Sequence, residues 1–439
     1  MESAAAGSSS APIVDRKAIG TVLFMALFLF SWISLTPFYD LTGEAVLDPS
    51  AGNSNRLNQI VFLLLFGCML VYGVMHPMRR MILQPRILLA TIFLWFLLVS
   101  VLSAHSSNSI KSVVLAAMMI VNASIYLMLP ASEKHFAKML AIGSLAALGL
   151  SYYGIFMLPQ FSIHQAAELR EPMNVGLWRG HFPHKNSAAA AMVLMSFFGL
   201  FVMGAWSRII GAVIFALAAF FLMQTGGKTS TAMLPLILVL AFIVERFPVL
   251  RIPVVVGGVA AFNLFAVGSS VYRPFGEFVT SLGIDATFTN RADVWRFAFA
   301  AIAEHPFVGY GFRAFWQTEE LLYSGGQIET WAVAAANGHN SFVDILLATG
   351  IPGLALTIFW IIFMPLRDIS RIDQQASPHL TRFFLRIWLY GLFHAGLESL
   401  FYEGGNVLWF TFVVGIYGFR FQSTATLVGR EAAGRATAT

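Results

Sequence analysis

Apolar runs long enough to cross a bilayer, roughly 17 to 25 residues each, follow one another along almost the whole chain. They fall near 18–38, 57–75, 87–103, 110–130, 137–158, 187–205, 209–224, 230–245, 252–270, 341–364, 380–400 and 406–421. In hydrocarbon each backbone polar group must be satisfied within its own segment, so these runs have to be helices. The sequence therefore predicts an all-α integral membrane protein of about 12 transmembrane helices with a large extracytoplasmic loop containing amphipathic helices. Composition agrees, since 58% of residues are hydrophobic and only 11% charged, which excludes a soluble domain. The single cysteine, Cys68, lies inside the second run and allows neither an intramolecular disulfide nor a thiolate metal site.

Charge sets the orientation. With residues 1–17 in the cytoplasm, 17 of the 27 Lys and Arg residues flank cytoplasmic helix ends, and the two sides carry net charges of +10 and −5. The positive-inside rule then favours both termini in the cytoplasm. The basic balance reflects this topology and not nucleic-acid binding. The organisation expected is a disordered cytoplasmic N-terminus over 1–17, helices one to nine over 18–270, a large periplasmic loop over 271–340, helices ten to twelve over 341–421 and a cytoplasmic tail over 422–439. The first apolar run has no small-x-small site before Pro37, which reads as an uncleaved helix and not a signal peptide.

Two connections are long, and both fall outside: 159–186 and 271–340. Long loops in a compact protein tend to carry function. The first ends in Arg179, His181, His184, Lys185 and Asn186, a potential anion-binding rim against the sixth helix; the plainer reading is a set of interfacial anchors. A shorter outer turn, Gln224 to Thr231, contains Gly226-Gly227-Lys228-Thr229-Ser230. Its spacing is not that of a P-loop, but the Lys228 ammonium and the exposed amides could hold a phosphate at a helix start. In the second long loop, Asn290 can cap a helix whose apolar residues Val294, Phe297, Ala298, Ala301 and Ile302 recur at helical spacing. Arg291 and Trp295, four apart, could stack. Pro306 ends that helix.

The tenth helix opens on Asn337-Gly338-His339-Asn340-Ser341, and its face carries Gly350 and Gly353, small residues that let a neighbouring helix approach. His394 and Glu398, spaced i,i+4 in the eleventh helix, are intramembrane ionisable groups and so candidates by default; a mutually satisfied pair holding helices together is the structural alternative. Arginine suits bidentate phosphate contacts, and an imidazole can take a proton from a sugar hydroxyl. The set fits glycosyl transfer from a polyprenyl-diphosphate glycan, with His339 and Arg291 as the catalytic pair. Arg291, Lys228, Arg179, His184 and Lys185 would bind the diphosphate, supported by Asn340, His181, Asn186, Trp295 and Glu398. No Asp-x-Asp pair or zinc-type cluster appears, so no metal and no other cofactor is expected. The competing class is a lipid-linked glycan flippase or other multi-helix transporter, which would place its polar groups near mid-depth on broken helices.

The segments Gly180-His181-Phe182-Pro183-His184-Lys185-Asn186, Asn290-Arg291-Ala292-Asp293-Val294-Trp295, Pro306-Phe307-Val308-Gly309-Tyr310-Gly311, and His339-Asn340 followed after nine residues by Gly350-Ile351-Pro352-Gly353 resemble the O-antigen ligase and O-antigen polymerase superfamily. The likeness is strongest to its exopolysaccharide polymerase branch. It implies a bacterial inner-membrane enzyme whose periplasmic face takes an undecaprenyl-diphosphate-linked oligosaccharide as donor, without metal or nucleotide. The acceptor would be a glycan or lipid A core, with membrane lipid and polysaccharide export proteins as surroundings and partners. By this resemblance His339 matches the base and Arg291 the arginine assigned to the donor diphosphate. The family often carries a second arginine after the seventh helix; here the nearest basic residue is Lys228, which keeps the charge and lacks the bidentate fork.

Overall fold

The computed structural model describes residues 16–42, 56–169, 171–281, 291–322, 331–372 and 377–424. Most of the N-terminal segment expected to be disordered, most of the cytoplasmic tail and the expected cap Asn290 lie outside the described residues. Each of the twelve apolar runs falls largely on helix: α1 (Arg16–Ile33), α2 (Arg56–Met75), α3 (Arg86–Val101), α4 (Ser106–Tyr126), α5 (Glu133–Met157), α6 (Lys185–Ala205), α7 (Arg208–Gln224), α8 (Lys228–Arg246) and α9 (Pro248–Val271), then, after α10 (Arg273–Ser281) and α11 (Arg291–Glu304), α12 (Ser341–Ile369), α13 (Pro378–His394) and α14 (Val407–Thr424). Eight of these are long and apolar enough to cross a membrane. The only strand-like pairing among the described residues is an isolated bridge between Ile163 and Trp178.

The ends of these helices are set by local chemistry. Ser132 caps α5 by accepting from His135 N–H, and Ser207 caps α7 by accepting from Ile210 N–H. α6, with its Ala188–Ala191 run, is the most buried span and touches α5, α7, α8 and α13. Lipid tails are as apolar as leucine, so this burial stabilises through close packing and not through escape from water. α2, by contrast, is largely uncovered by other helices.

The connections sort to two ends of the bundle. At one end Arg382 pairs with Glu245 at 2.8 Å and Arg420 with Asp368 at 3.0 Å. At the other, the 159–186 loop takes Trp178 N–H to Gln224 O, and Ser103 Oγ donates to Tyr310 O at 2.7 Å. All the polar motifs of interest lie at this second end.

Gly350 departs from the expected helix-packing role. It breaks α12 with φ 66° and ψ −174°, and what lies against it is the 306–311 loop. Pro352 has no N–H, so the carbonyl of Ala348 loses its helical partner; Gly311 N–H takes it at 3.0 Å. Tyr310 N–H takes Leu347 O at 3.0 Å, and Ile351 N–H donates to Pro306 O at 2.9 Å. Two motifs forty residues apart are thus one docked unit. Gly353 does receive a helix, with Trp95 of α3 donating to Thr349 O at 2.9 Å.

A methyl group at Gly350 would lie 2.2 Å from Phe307 O on a backbone that L-residues avoid. Gly350→Ala should therefore destabilise the protein by about 3 kcal/mol or more. A melting temperature in detergent equal to wild type would contradict the docking.

Candidate active site

The site is assembled from three segments that fasten one another. The first is 337–341. His339 sits at φ +46°, a turn conformation that Asn337 Oδ1 supports by accepting the His339 N–H at 3.0 Å. Gly338, just before it, is gripped from both sides: its carbonyl accepts from the buried Trp295 indole at 2.8 Å, and its N–H donates to Asp344 Oδ1 at 2.8 Å. Asp344 also accepts from Trp316 Nε1 at 2.9 Å and from Ser399 Oγ. Trp295 thus positions the turn carrying His339, a role that its spacing from Arg291 did not suggest.

The second segment is 395–400, and here the expected geometry changes. Glu398 is not on a helix with His394, because α13 stops at His394. The Glu398 N–H still donates to His394 O at 3.0 Å, closing a last turn, and the carbonyls of 395–398 are bonded by other elements. Ala395 O accepts from Ser341 N–H at 2.8 Å, Gly396 O from Asn340 Nδ2 at 2.9 Å, Leu397 O from Arg291 NH1, and Glu398 O from Ser341 Oγ at 2.9 Å. Asn340 uses its side-chain oxygen to cap α12, accepting from Phe342 and Val343 N–H, and its Nδ2 also donates to Asn263 Oδ1 at 2.8 Å. These carbonyl bonds tie the segment just past α13 to the start of α11 and to the start of α12.

Arg291, at the start of α11, is the third contributor. Glu398 bridges it to the imidazole, with Oε1 2.6 Å from Arg291 NH2 and Oε2 3.3 Å from His339 Nδ1. The guanidinium and the ring therefore share one carboxylate. A carboxylate only accepts, so in the neutral ring Nδ1 carries the proton and Nε2 presents a lone pair. No described residue hydrogen-bonds Nε2, and the His339 side chain is 38% exposed. Burial pushes the Glu398 carboxyl up, but the hydrogen bond to His339 and the charge of Arg291 outweigh it and hold it down at about 2.

The sign of that depression gives a prediction. The stability Glu398 contributes is fully present above the ordinary carboxylate value of 4.5 and is lost as pH falls toward about 2. The melting-temperature advantage of wild type over Glu398→Gln should hold at neutral pH and shrink below that value. An advantage undiminished at about pH 3 would contradict it.

The first outer loop is built differently from the exposed rim its sequence suggested. Arg179 is fully buried and donates to Tyr39 O and Phe182 O, bracing the loop against the end of α1. His181 lies between Ser151 Oγ and Trp32 O, each at 2.8 Å; burial pulls its pKa down to about 4, so it is neutral and structural. His184 caps α6 by accepting from Asn186 N–H and reaches Glu171 at 3.0 Å. That bond is the largest influence holding Glu171 at about 2. His164 accepts Lys185 N–H and donates to the buried Glu168 at 2.6 Å, a pair that sequence reading missed because its members look like ordinary loop polarity. Asn186 and Lys228 are exposed, and the charges of Lys185 and Lys228 act on each other. No direct contact between Lys185 or Lys228 and the His339, Glu398 and Arg291 group occurs among the described residues. α8, the helix that Lys228 opens, packs against α13, the helix that leads into the 395–400 segment.

Fold and site together define an all-α integral membrane protein with a carboxylate-centred imidazole and guanidinium at the helix ends of one face. Residues 190–358 match the family model described as O-antigen ligase, a region that carries Arg291 and His339 and stops short of Glu398. The chain is also 26% identical over 262 residues to the exopolysaccharide production protein ExoQ of Rhizobium meliloti (strain 1021), a match spanning 52% of this chain and 58% of that protein. The two matches support the O-antigen ligase and polymerase family for this chain.

Proposed function

We propose that the protein is a bacterial inner-membrane glycosyltransferase, an exopolysaccharide or O-antigen polymerase or ligase, that transfers a glycan from an undecaprenyl-diphosphate carrier with inversion and without a metal. Its site face looks into the periplasm and both termini lie in the cytoplasm. The observation that carries this reading is the single carboxylate shared by His339 and Arg291.

His339 Nε2 takes the proton of the acceptor hydroxyl as its oxygen attacks C1 of the donor sugar. The bond from C1 to the phosphate oxygen breaks, and its electron pair leaves with the undecaprenyl diphosphate. Arg291 spends two N–H groups on Leu397 O and Glu398 and has others to offer the diphosphate, stabilising charge that grows as the bond breaks. Glu398 fixes the ring tautomer and stabilises the imidazolium that forms, as a carboxylate does behind a histidine base. Lys228 and Lys185 add positive potential at the neighbouring helix starts.

The deciding experiment incubates purified protein with lipid-linked repeat units in the presence of EDTA. Elongation marks a polymerase; inertness until a second acceptor is added, followed by transfer, marks a ligase. No transfer to any acceptor, or transfer abolished by EDTA and restored by a divalent ion, would overturn the proposal or its metal independence respectively.

A further inference from the structure

Asn122 lies in α4, is 1% exposed, and has no hydrogen-bond partner for either Oδ1 or Nδ2 among the described residues. Leaving a buried amide unpaired is costly, because its hydration is lost without replacement, and in Asn340 the same side chain is fully used. Asn122 borders a cavity of about 540 Å³ between α1, α4, the 181–187 loop and the 403–408 segment. That volume is within the range of small-molecule sites, roughly 300 to 1,000 Å³.

The lining decides among occupants. Trp32, Phe62 and Phe182 supply aromatic surface, while Ser31, Ser187 and Asn406 stand beside Asn122 as polar groups. A hydroxyl-rich sugar ring fits this mixture, since each O–H both donates and accepts and the C–H face of a pyranose packs on an aromatic ring. A lipid tail would leave Asn122 unsatisfied. A phosphate would meet a single cationic group in the lining, Arg313, which is already beside Glu403.

The cavity also adjoins the segments that carry the reacting group. Arg313 and Glu403 line both this cavity and a smaller one of about 210 Å³ bordered by Asn337, Ser341, Asp344 and Ser399, the residues that hold the His339 and Glu398 segments. Their closest approach is 3.6 Å, and Glu403 Oε2 is anchored by Asn406 at 2.7 Å. A loose ion pair is thus the partition between the two spaces.

We propose that the larger cavity is a glycan subsite, holding sugar units of a substrate chain behind the end that reacts at His339, with Arg313 and Glu403 as the movable wall. The substrate class rests on the glycosyl-transfer reading above; the cavity and its orphaned amide do not.

The probe is a free oligosaccharide released by mild acid from the host's own lipid-linked repeat, titrated by calorimetry into the purified full chain, with inorganic pyrophosphate as a second probe. Gly405 is exposed at the cavity and a side chain there meets open space, so Gly405→Trp obstructs the cavity while leaving the fold intact. Asn122→Leu replaces the amide with an apolar group of similar size. The oligosaccharide should bind wild type and lose at least about tenfold in affinity in both variants, while pyrophosphate binds all three alike and is weakened only by Arg291→Ala. Oligosaccharide that binds Gly405→Trp as well as wild type, or fails to bind wild type, overturns the subsite. Pyrophosphate indifferent to Arg291→Ala counts against the transfer mechanism and leaves the subsite standing. A labelled oligosaccharide that is incorporated into product marks the occupant as acceptor; one that only competes marks it as the donor's glycan, and either supports the proposal.

Discussion

His339→Ala should lower the rate of glycosyl transfer by about 10² to 10⁴, the usual range for a lost general base. The side chain is 38% exposed, and its one hydrogen-bond partner among the described residues is Glu398, so the folded protein should remain in the membrane. Because His339 occupies a left-handed backbone conformation, alanine adds strain of its own; asparagine tolerates that region better. His339→Asn is therefore the cleaner variant, and should be as inactive as alanine with a melting temperature nearer wild type. Transfer within tenfold of wild type in both variants, measured on purified protein with lipid-linked donor, would remove His339 from the chemistry.

The second large effect is expected for Arg291→Ala. Its guanidinium holds Leu397 O and Glu398 at once and is only 18% exposed, so its loss both weakens the hold on the donor and leaves a largely covered carboxylate without its cation. Removing one partner of a buried pair costs about 3 to 5 kcal/mol when burial is complete; here partial exposure reduces that to about half. Activity should fall by about 10² or more. Arg291→Lys should recover stability better than activity, since the charge returns and the fork does not. Equal recovery of both would indicate that Arg291 acts as a point charge alone.

Much of the architecture was written in hydropathy. The apolar runs mark where the helices lie because hydrocarbon leaves the backbone no alternative to helix, although the runs 18–38 and 380–400 overshoot helices that end at Ile33 and His394, and Pro306 ended α11 where its missing N–H requires. The site was legible as residue types and much less as geometry. His339, Arg291 and Glu398 could each be singled out, but Glu398 was assigned to a helix with His394. The i,i+4 spacing is favourable, and nothing local reveals that Arg291, Asn340 and Ser341 claim the carbonyls of 395–398. Gly350 and Gly353 read as a helix-packing face for a similar reason: only the fold shows that the 306–311 loop fills the break. Arg179 and His181 were the opposite error. Charged residues beside a helix start look like an exposed rim, whereas the loop folds over them and each reaches a backbone carbonyl far away in sequence, Tyr39 O for Arg179 and Trp32 O for His181.

The account depends on Glu398 coupling the imidazole to the guanidinium, and a double-mutant cycle on the transfer rate addresses that directly. Glu398→Gln and His339→Ala should be strongly non-additive, with the double variant no slower than the slower single, because each removes the same activated unit. Rate losses that multiply, so that the double variant shows the product of the two single effects, would mean that the carboxylate and the ring act independently.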